Sequence, residues 1–585
     1  MFSTSPFSFG KRQVLGLLLG APISLLASTF ASAQAPAWQS AVALTVTDNP
    51  SASFSRVGVK ATATDASGNL YLIGSFEGTA TFGSTSLTSA GLSDVFVAKW
   101  NPTTSSFLWA RQAGGTGADY AGAVAVSGTN VYVVGEFSGS SANFGSINLT
   151  TAGVAGSSDA FITKLTDAGT SASFAWAQSA GGNGVDAANA VAVSGTNVYV
   201  AGSFASGTAR FGISLLANAE PTSTPNADAF ITKLTDAGTS ASFAWAQAAG
   251  GTGIDGSNAI AVSGTNVYVA GKFSNPTANF GTVVLTSRGF DDAFVAKLTD
   301  AGATASFAWA EDIGGSSSDN ATALAVSGLN VFLTGSFVGT ATFGSVALTS
   351  TGNSNVFVAK FADASSAATL AWVRQAGGSG PNSGRALAVS GANVYVAGDF
   401  SGSPSSFGST SLNSIGASDA FVSKLVDAGT TSSFSWAQRA GGGNADVART
   451  LALSGTRVYV AGGFAGASAS FGTITLTNPN PIGGASFVAS ISDAAPLASA
   501  SAAQLVGVSL WPNPARENAT LRIPAVPGAA QASLILTDAL GRVLRTQAVA
   551  LPATTTVPLT NLAPGLYALR IQAADQQTTQ KFVVE

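Results

Sequence analysis

The sequence predicts an all-β fold: a seven-bladed β-propeller closed by its N-terminal strand, followed by a small C-terminal β-sandwich. Three observations predict it. A unit of about 65 residues recurs seven times, and a fixed period of this kind decides the architecture. Beyond the N-terminus the apolar residues alternate in short runs between Gly-containing turns, with no sustained helical periodicity. The two ends of the repeat array also complement each other, because one end carries a spare strand that the other end lacks.

Three landmark series define the repeat. The first is Trp38, Trp109, Trp176, Trp245, Trp309, Trp372 and Trp436. The second is Tyr71, Tyr132, Tyr199, Tyr268, Phe332, Tyr395 and Tyr459. The third is Phe96, Phe161, Phe230, Phe294, Phe357, Phe421 and Phe487. The first-to-second spacing is 23 residues in six repeats and 33 in the first, whereas second-to-third varies from 25 to 31. Packed strands fix a spacing, and loops absorb insertions at little entropic cost. The variable span is therefore expected to be an exposed connection.

Within a repeat, 190–193 (AVAV) and 197–204 (NVYVAGSF) flank a Ser-Gly-Thr turn and read as a hairpin. Residues 160–165 and 173–178 read as two further strands around a Thr-Asp-Ala-Gly turn, and an FGxxxL run such as 211–215 lies in the variable span. Four short strands per unit with a Trp and a Phe are blade-like. Gly-rich linkers such as 181–184 mark the blade boundaries, so the last blade lacks its Trp strand. The Trp38 strand is left to complete it.

The chain opens with Lys11-Arg12, an apolar run at 14–26 and Ala31-Ser32-Ala33, which reads as a secretory signal peptide over 1–33. A retained anchor is the alternative, but the run is short for a membrane span. No later stretch is long and apolar enough to cross, so no transmembrane segment is expected in the mature chain. The propeller is expected over 34–493, an Ala/Ser-rich linker over 494–503, and a β-sandwich of seven strands over 504–585.

The C-terminal segment resembles the sorting domain of type IX secretion substrates. The resemblance is carried by Trp511-Pro512-Asn513-Pro514, by Asp538-Ala539-Leu540-Gly541-Arg542, by Leu562-Ala563-Pro564-Gly565-Leu566-Tyr567 and by the closing Lys581-Phe582-Val583-Val584. It implies the type IX machinery as a partner of 504–585 and a secreted or cell-surface location. In the family the domain is removed and the remainder is released or attached to the surface. The repeats resemble a bacterial β-propeller repeat family of exported proteins, through the Gly-Gly turn, the AVAVSGTNVYVAG run and DAFxxKL. That family supplies a fold and no single activity.

The 585 residues include no His and no Cys. Ser-His triads, thiol nucleophiles and His-held metals are excluded, and no disulfide staples the ring. The net charge of −4 with no basic cluster disfavours nucleic acid and anionic membrane surfaces as partners. No cofactor is expected. Asp119, Asp186, Asp255, Asp319 and Asp446, each in a GGxGxD-like turn, offer an alternative in which Ca²⁺ binds a ring of carboxylates beside the central channel, interrupted at Asn382. The plainer reading is an Asp capping each Gly turn.

Ligand-binding candidates lie where the repeats differ. They are Glu136, Lys272 and Asp399, each one past the Gly of a VYVAG-like run, and Arg111, Glu311 and Arg374, each two past a Trp. The leading expectation is a non-enzymatic binding or adhesion module for an extracellular protein or glycan. The alternatives are a carboxylate-dependent enzyme acting on polysaccharide through Glu136, Glu311, Asp312 and Asp399, and a purely structural surface protein.

Overall fold

The computed structural model describes residues 35–585 apart from 45, 48–56, 154–155, 222–225, 275, 480–483, 494–502, 506, 527–528, 539–542, 561 and 574–575. The signal peptide read at 1–33 lies outside the described residues, as does the linker read at 494–503 except for Ala503. The described residues form strands and turns, with no helix. They divide into two compact units, one ending at Ser492 and the other spanning Asp493–Glu585.

The first unit holds seven antiparallel four-stranded sheets. The second sheet shows the pattern: Tyr120–Ser127, Asn130–Ser138, Ser158–Asp167 and Ala172–Ala180 pair in that order. Six sheets share this order, each with a short hairpin intervening in the chain between its second and third strands, and in three of them a further hairpin extends the sheet to six strands. The seventh takes Asp446–Ser454, Arg457–Phe464 and Ala485–Ser492 from one end of the array and Trp38–Leu44 from the other, with Ala41 opposite Ala489 and Val42 opposite Val488.

The middle strands explain the composition. Ser158–Asp167 and Asn197–Phe204 are buried on both faces, because each sheet is sandwiched between its neighbours. Small and β-branched residues suit such doubly covered strands, while Tyr, Phe and Trp fill the spaces between sheets. The first strands follow one another in sequence order, and Asp446–Ser454 returns to lie against Val57–Thr64. At that return Thr62 N donates to Thr450 Oγ1 (3.1 Å) and Thr64 Oγ1 donates to the Leu453 carbonyl (2.9 Å).

The variable span is less exposed than its length variation suggests. Its FGxxxL run forms a hairpin, such as Ser141–Phe144 with Ile147–Thr150. Phe144 is buried, 5.0 Å from the Phe161 ring and 5.8 Å from Phe174. The same hairpin pairs Asn143 with Gly114 of the preceding sheet, so it fastens neighbours together. For the first sheet this role falls to Val46–Thr47, which continues beyond the Trp38 strand and pairs with Thr79 and Ala80.

Candidate functional site

Every first strand carries one residue more than its partner can pair. That residue is Lys60, Gly122, Asn189, Asn258, Thr322, Arg385 or Arg449 in sheets one to seven. A bulge re-aims the side chain it releases. All seven line a single cavity of about 400 Å³. On sheets two to five they are glycine, amides and a hydroxyl. On sheets six, seven and one, which are adjacent, they are Arg385, Arg449 and Lys60.

These three cations are exposed to the open cavity that they help to line. Burial lowers the Lys60 pKa first, and Arg449 and Arg385 lower it further, against an opposing pull from Glu136. Arg449 is depressed by the same means: burial first, then Arg385. Both shifts have one sense, namely that positive charge is crowded here and an arriving anion would relieve it.

The sequence candidates fall in different places. Asp399 accepts a charge-assisted bond from Arg385 Nε at the cavity rim. Glu136 accepts from Ser158 Oγ (2.9 Å), and its charge reaches Lys60. Lys272 pairs with Asp291 at 3.1 Å. The position two past each Trp instead joins neighbouring sheets. Arg111 Nε donates to the Ala172 carbonyl (2.6 Å), Arg374 Nε to that of Ser432 (2.9 Å), and Gln247 Nε2 to that of Ala305 (3.0 Å). Glu311 occupies the same position and accepts from the Ala368 backbone; burial and then Asp312 raise its pKa. Arg111, Glu311 and Arg374 thus sit on three separate sheets and converge on nothing.

The five GGxGxD carboxylates do not line the axial cavity, so they do not form the alternative ring beside it. Each is buried beneath its Gly-Gly turn, because the turn's own N–H groups claim it: Gly115 N donates to Asp119 (2.7 Å), Gly182 N to Asp186 (2.7 Å) and Gly442 N to Asp446 (2.6 Å). Among the described residues no group of three or more metal-ligating side chains occurs.

A buried ionic device, absent from the sequence reading, joins the sheets. Asp236 ends the third strand of sheet three and accepts from three residues of sheet two: Lys164 Nζ (2.7 Å), Tyr132 Oη (2.8 Å) and Trp176 Nε1 (2.9 Å). It also caps its own turn through Gly238 N (2.9 Å). Burial alone would raise its pKa, but the bonds from Lys164 and Tyr132 outweigh that and hold it below the usual carboxylate range. Burial, then the bond to Asp236, pushes the Tyr132 hydroxyl up. Asp167, Asp300, Asp363 and Asp427 repeat the arrangement, with Phe332 replacing the Tyr at the last. Where sheet seven meets sheet one, Ser490 replaces the Lys and Asn101 the Asp. A buried cation and its counter-charge disappear together, and Ser490 bonds Ser40 at 2.8 Å instead.

The second unit has a five-stranded and a three-stranded sheet, which share a core that includes Leu521, Ile523, Leu534, Val557, Ile571 and Phe582. Its end motifs meet. Asn513 of the Trp-Pro-Asn-Pro turn accepts from Val583 N (2.9 Å) and donates to the Lys581 carbonyl (3.2 Å), and Tyr567 Oη donates to the Ala563 carbonyl (2.8 Å). Residues 509–585 match the family model described as a secretion system C-terminal sorting domain. This part of the chain is a type IX sorting domain. It marks the protein for secretion or cell-surface attachment through that system and engages its machinery. No helix among the described residues is long and apolar enough to cross a membrane.

Comparison with curated proteins gave no match. Among solved structures the chain is similar to an acylaminoacyl peptidase of Pyrococcus horikoshii, at 7% identity and a TM-score of 0.35, over 81% of this chain and 59% of that one. The chain thus spans 59% of that protein's length, and a likeness of this degree carries no argument about activity.

Proposed function

We propose that the chain is an exported seven-bladed β-propeller, closed by the Trp38 strand, that binds an anionic group of an extracellular glycan in its axial cavity without transforming it. The seven sheets, the shared seventh sheet and the succession of first strands support the architecture. One observation carries the function: near-identical repeats break their symmetry at the bulge position, where three neighbouring sheets place Lys60, Arg385 and Arg449 around one cavity. The opposite arc holds Asn189, Asn258 and Thr322, whose own N–H and O–H groups donate to neighbouring residues and whose oxygens suit sugar hydroxyls as acceptors. An enzyme using Glu311 and Asp312 is not favoured, since Asp312 is bound by Arg288 at 2.7 Å and Glu311 is held between sheets.

Titration calorimetry with an oligouronate, against a neutral oligosaccharide of equal length, tests this. The full chain is expected to bind the uronate, more weakly as salt rises. Arg449→Ala and Arg385→Ala are each expected to weaken binding about tenfold, the order of a lost charge-assisted contact. Equal affinity for the neutral sugar, or unchanged affinity in both variants, would remove the axial site from the function.

A further inference from the structure

The turn carboxylates have partners of their own kind. Where sheet two meets sheet three, Asp159 Oδ1 and Asp186 Oδ2 both lie within 3 Å of the point a β-carbon would occupy on Gly181, at 2.4 and 2.7 Å. Gly181, at φ +154°, is the residue that leaves this space open. The same convergence occurs over Gly114 for Asp94 (2.6 Å) and Asp119 (2.7 Å), and over Gly250 for Asp228 (2.5 Å) and Asp255 (2.8 Å). Asp292 approaches Gly314 at 2.5 Å, and its charge acts on Asp319. Asp94, Asp159, Asp228 and Asp292 are each at most 2% exposed. In all four, Oδ1 is buried without a hydrogen-bond partner. Two carboxylates facing each other, one with an orphaned oxygen, lack one donor or one positive charge.

The remaining junctions supply what these four lack. Between sheets five and six, both residues are amides, Asn355 and Asn382, with Asn382 Nδ2 and Asn355 Oδ1 facing Gly377. Between sheets six and seven, Asp419 Oδ1 accepts from Arg439 at 3.3 Å beside Asp446, so arginine provides the charge. Between sheets seven and one, the positions hold Ala485 and Val57, both apolar and buried. The two positions therefore change together. We propose that each of the pairs Asp94–Asp119, Asp159–Asp186, Asp228–Asp255 and Asp292–Asp319 binds one proton between its carboxyl groups, donated from Oδ of one to the orphaned Oδ of the other. A proton fits where a metal ion does not, because among the described residues no group of three or more metal-ligating side chains occurs, and the orphaned oxygens are shut off from solvent.

Each proton is a bond between neighbouring sheets, taken up from solvent on folding. Burial first raises Asp119, Asp159, Asp255 and Asp292 to about 6 and Asp228 and Asp319 to about 7. Other charges face some of the pairs: Glu136 at Asp119; Glu220 at Asp228; Lys272 and Asp291 at Asp255; Arg288, Asp312 and Asp291 at Asp292; and Asp291 at Asp319. The charge that acts on Asp159 is that of Asp186, which makes that pair the cleanest to test. Raised carboxyl pKa values stabilise the fold fully below the unfolded value, and this stability is lost as pH rises through about 6 to 7.

The test combines infrared spectroscopy with thermal unfolding of the full chain in a chelator. At about pH 5.5, where ordinary aspartates are ionised, a protonated-carboxyl C=O band is expected. Tm is expected to fall by at least about 5 °C between about pH 5 and about pH 8. The variant Asp159→Asn with Asp186→Asn copies the natural Asn355–Asn382 junction. It is expected to lose about a fifth of the band and of the pH dependence, since Asp446, which burial also raises to about 6, contributes beside the four pairs. If the variant does not fold, the band of the unaltered chain decides. Absence of that band overturns the proposal. So does a Tm that rises with added Ca²⁺ at about pH 8 and ceases to depend on pH, which would assign the pairs to a metal ion instead.

Discussion

Replacing Asp363 by alanine is expected to destabilise the repeat unit by about 4 kcal/mol or more, the range for breaking a buried ion pair from one side. Asp363 accepts from Lys297 Nζ (2.7 Å), Tyr268 Oη (2.7 Å) and Trp309 Nε1 (3.0 Å) of the preceding sheet and from Ser365 N (3.0 Å) of its own turn. The two charged side chains are 4% and 0% exposed, so no water replaces the lost acceptor. An ammonium, a phenol and an indole N–H would be orphaned together. Removing both charges, by Lys297→Met with Asp363→Leu, is expected to cost less than Asp363→Ala alone, because no unpaired charge is left behind. The natural junction that lacks the device sets the baseline. Asn101→Ala there is expected to cost about 1 kcal/mol or less, since Asn101 Oδ1 serves only the local turn N–H groups of Thr103 and Thr104. Midpoints of chemical denaturation distinguish these outcomes. An Asp363→Ala loss no larger than the Asn101→Ala loss would show that the buried pairs do not hold the sheets together. These aspartates have lowered pKa values, so the stability they provide is present above the usual carboxylate range and is lost as pH falls through the depressed values.

Removing the N-terminal strand is the second large effect. Without Trp38–Leu44, the strand Ala485–Ser492 becomes an edge, although seven of its eight residues are built for burial. Trp38 (7% exposed) packs edge-on to Phe471 at 5.2 Å and donates Nε1 to the Arg439 carbonyl at 3.2 Å, and Leu44 is 5% exposed. Burial of these two side chains alone is worth roughly 4 kcal/mol. A chain that lacks 35–47 is expected to unfold at least about 5 °C lower and to self-associate through the open edge. A synthetic peptide of 35–47, added in excess, is expected to restore both the Tm and the monomer. Calorimetry and sedimentation read the two effects. A truncated chain as stable and as monomeric as the full one would mean that the strand fastens nothing.

Much of the frame was legible because repetition exposes it. Three landmark series of seven correspond to seven sheets, and the unmatched Trp38 lies in the strand shared with the last of them. The sorting motifs were legible as contiguous residues at one end. Partner identity across sheets was not. Asp167 and Asp236 sit in what reads locally as a Thr-Asp-Ala-Gly turn, and they do cap it; nothing local reveals that a Lys some 70 residues away shares the same carboxylate. Arg111 and Arg374 stood out as irregular charges, yet their guanidinium groups tie backbone to backbone. Lys60, Arg385 and Arg449 were missed for a different reason. Their signal is one residue before the AVAV-like run of each repeat, and it emerges only when the first strands are compared at the bulge. A bulge shifts by one residue which side chain leaves the sheet, and alternation alone does not report it.

The most direct measurement is a crystal structure of the full chain soaked in selenate, read by the anomalous signal of selenium. The expected result is a ring of seven sheets, the last completed by the Trp38 strand, with a selenate peak between Lys60, Arg385 and Arg449. An open superhelix, or a closed ring whose selenate binds elsewhere and not between Lys60, Arg385 and Arg449, would contradict the axial anion site.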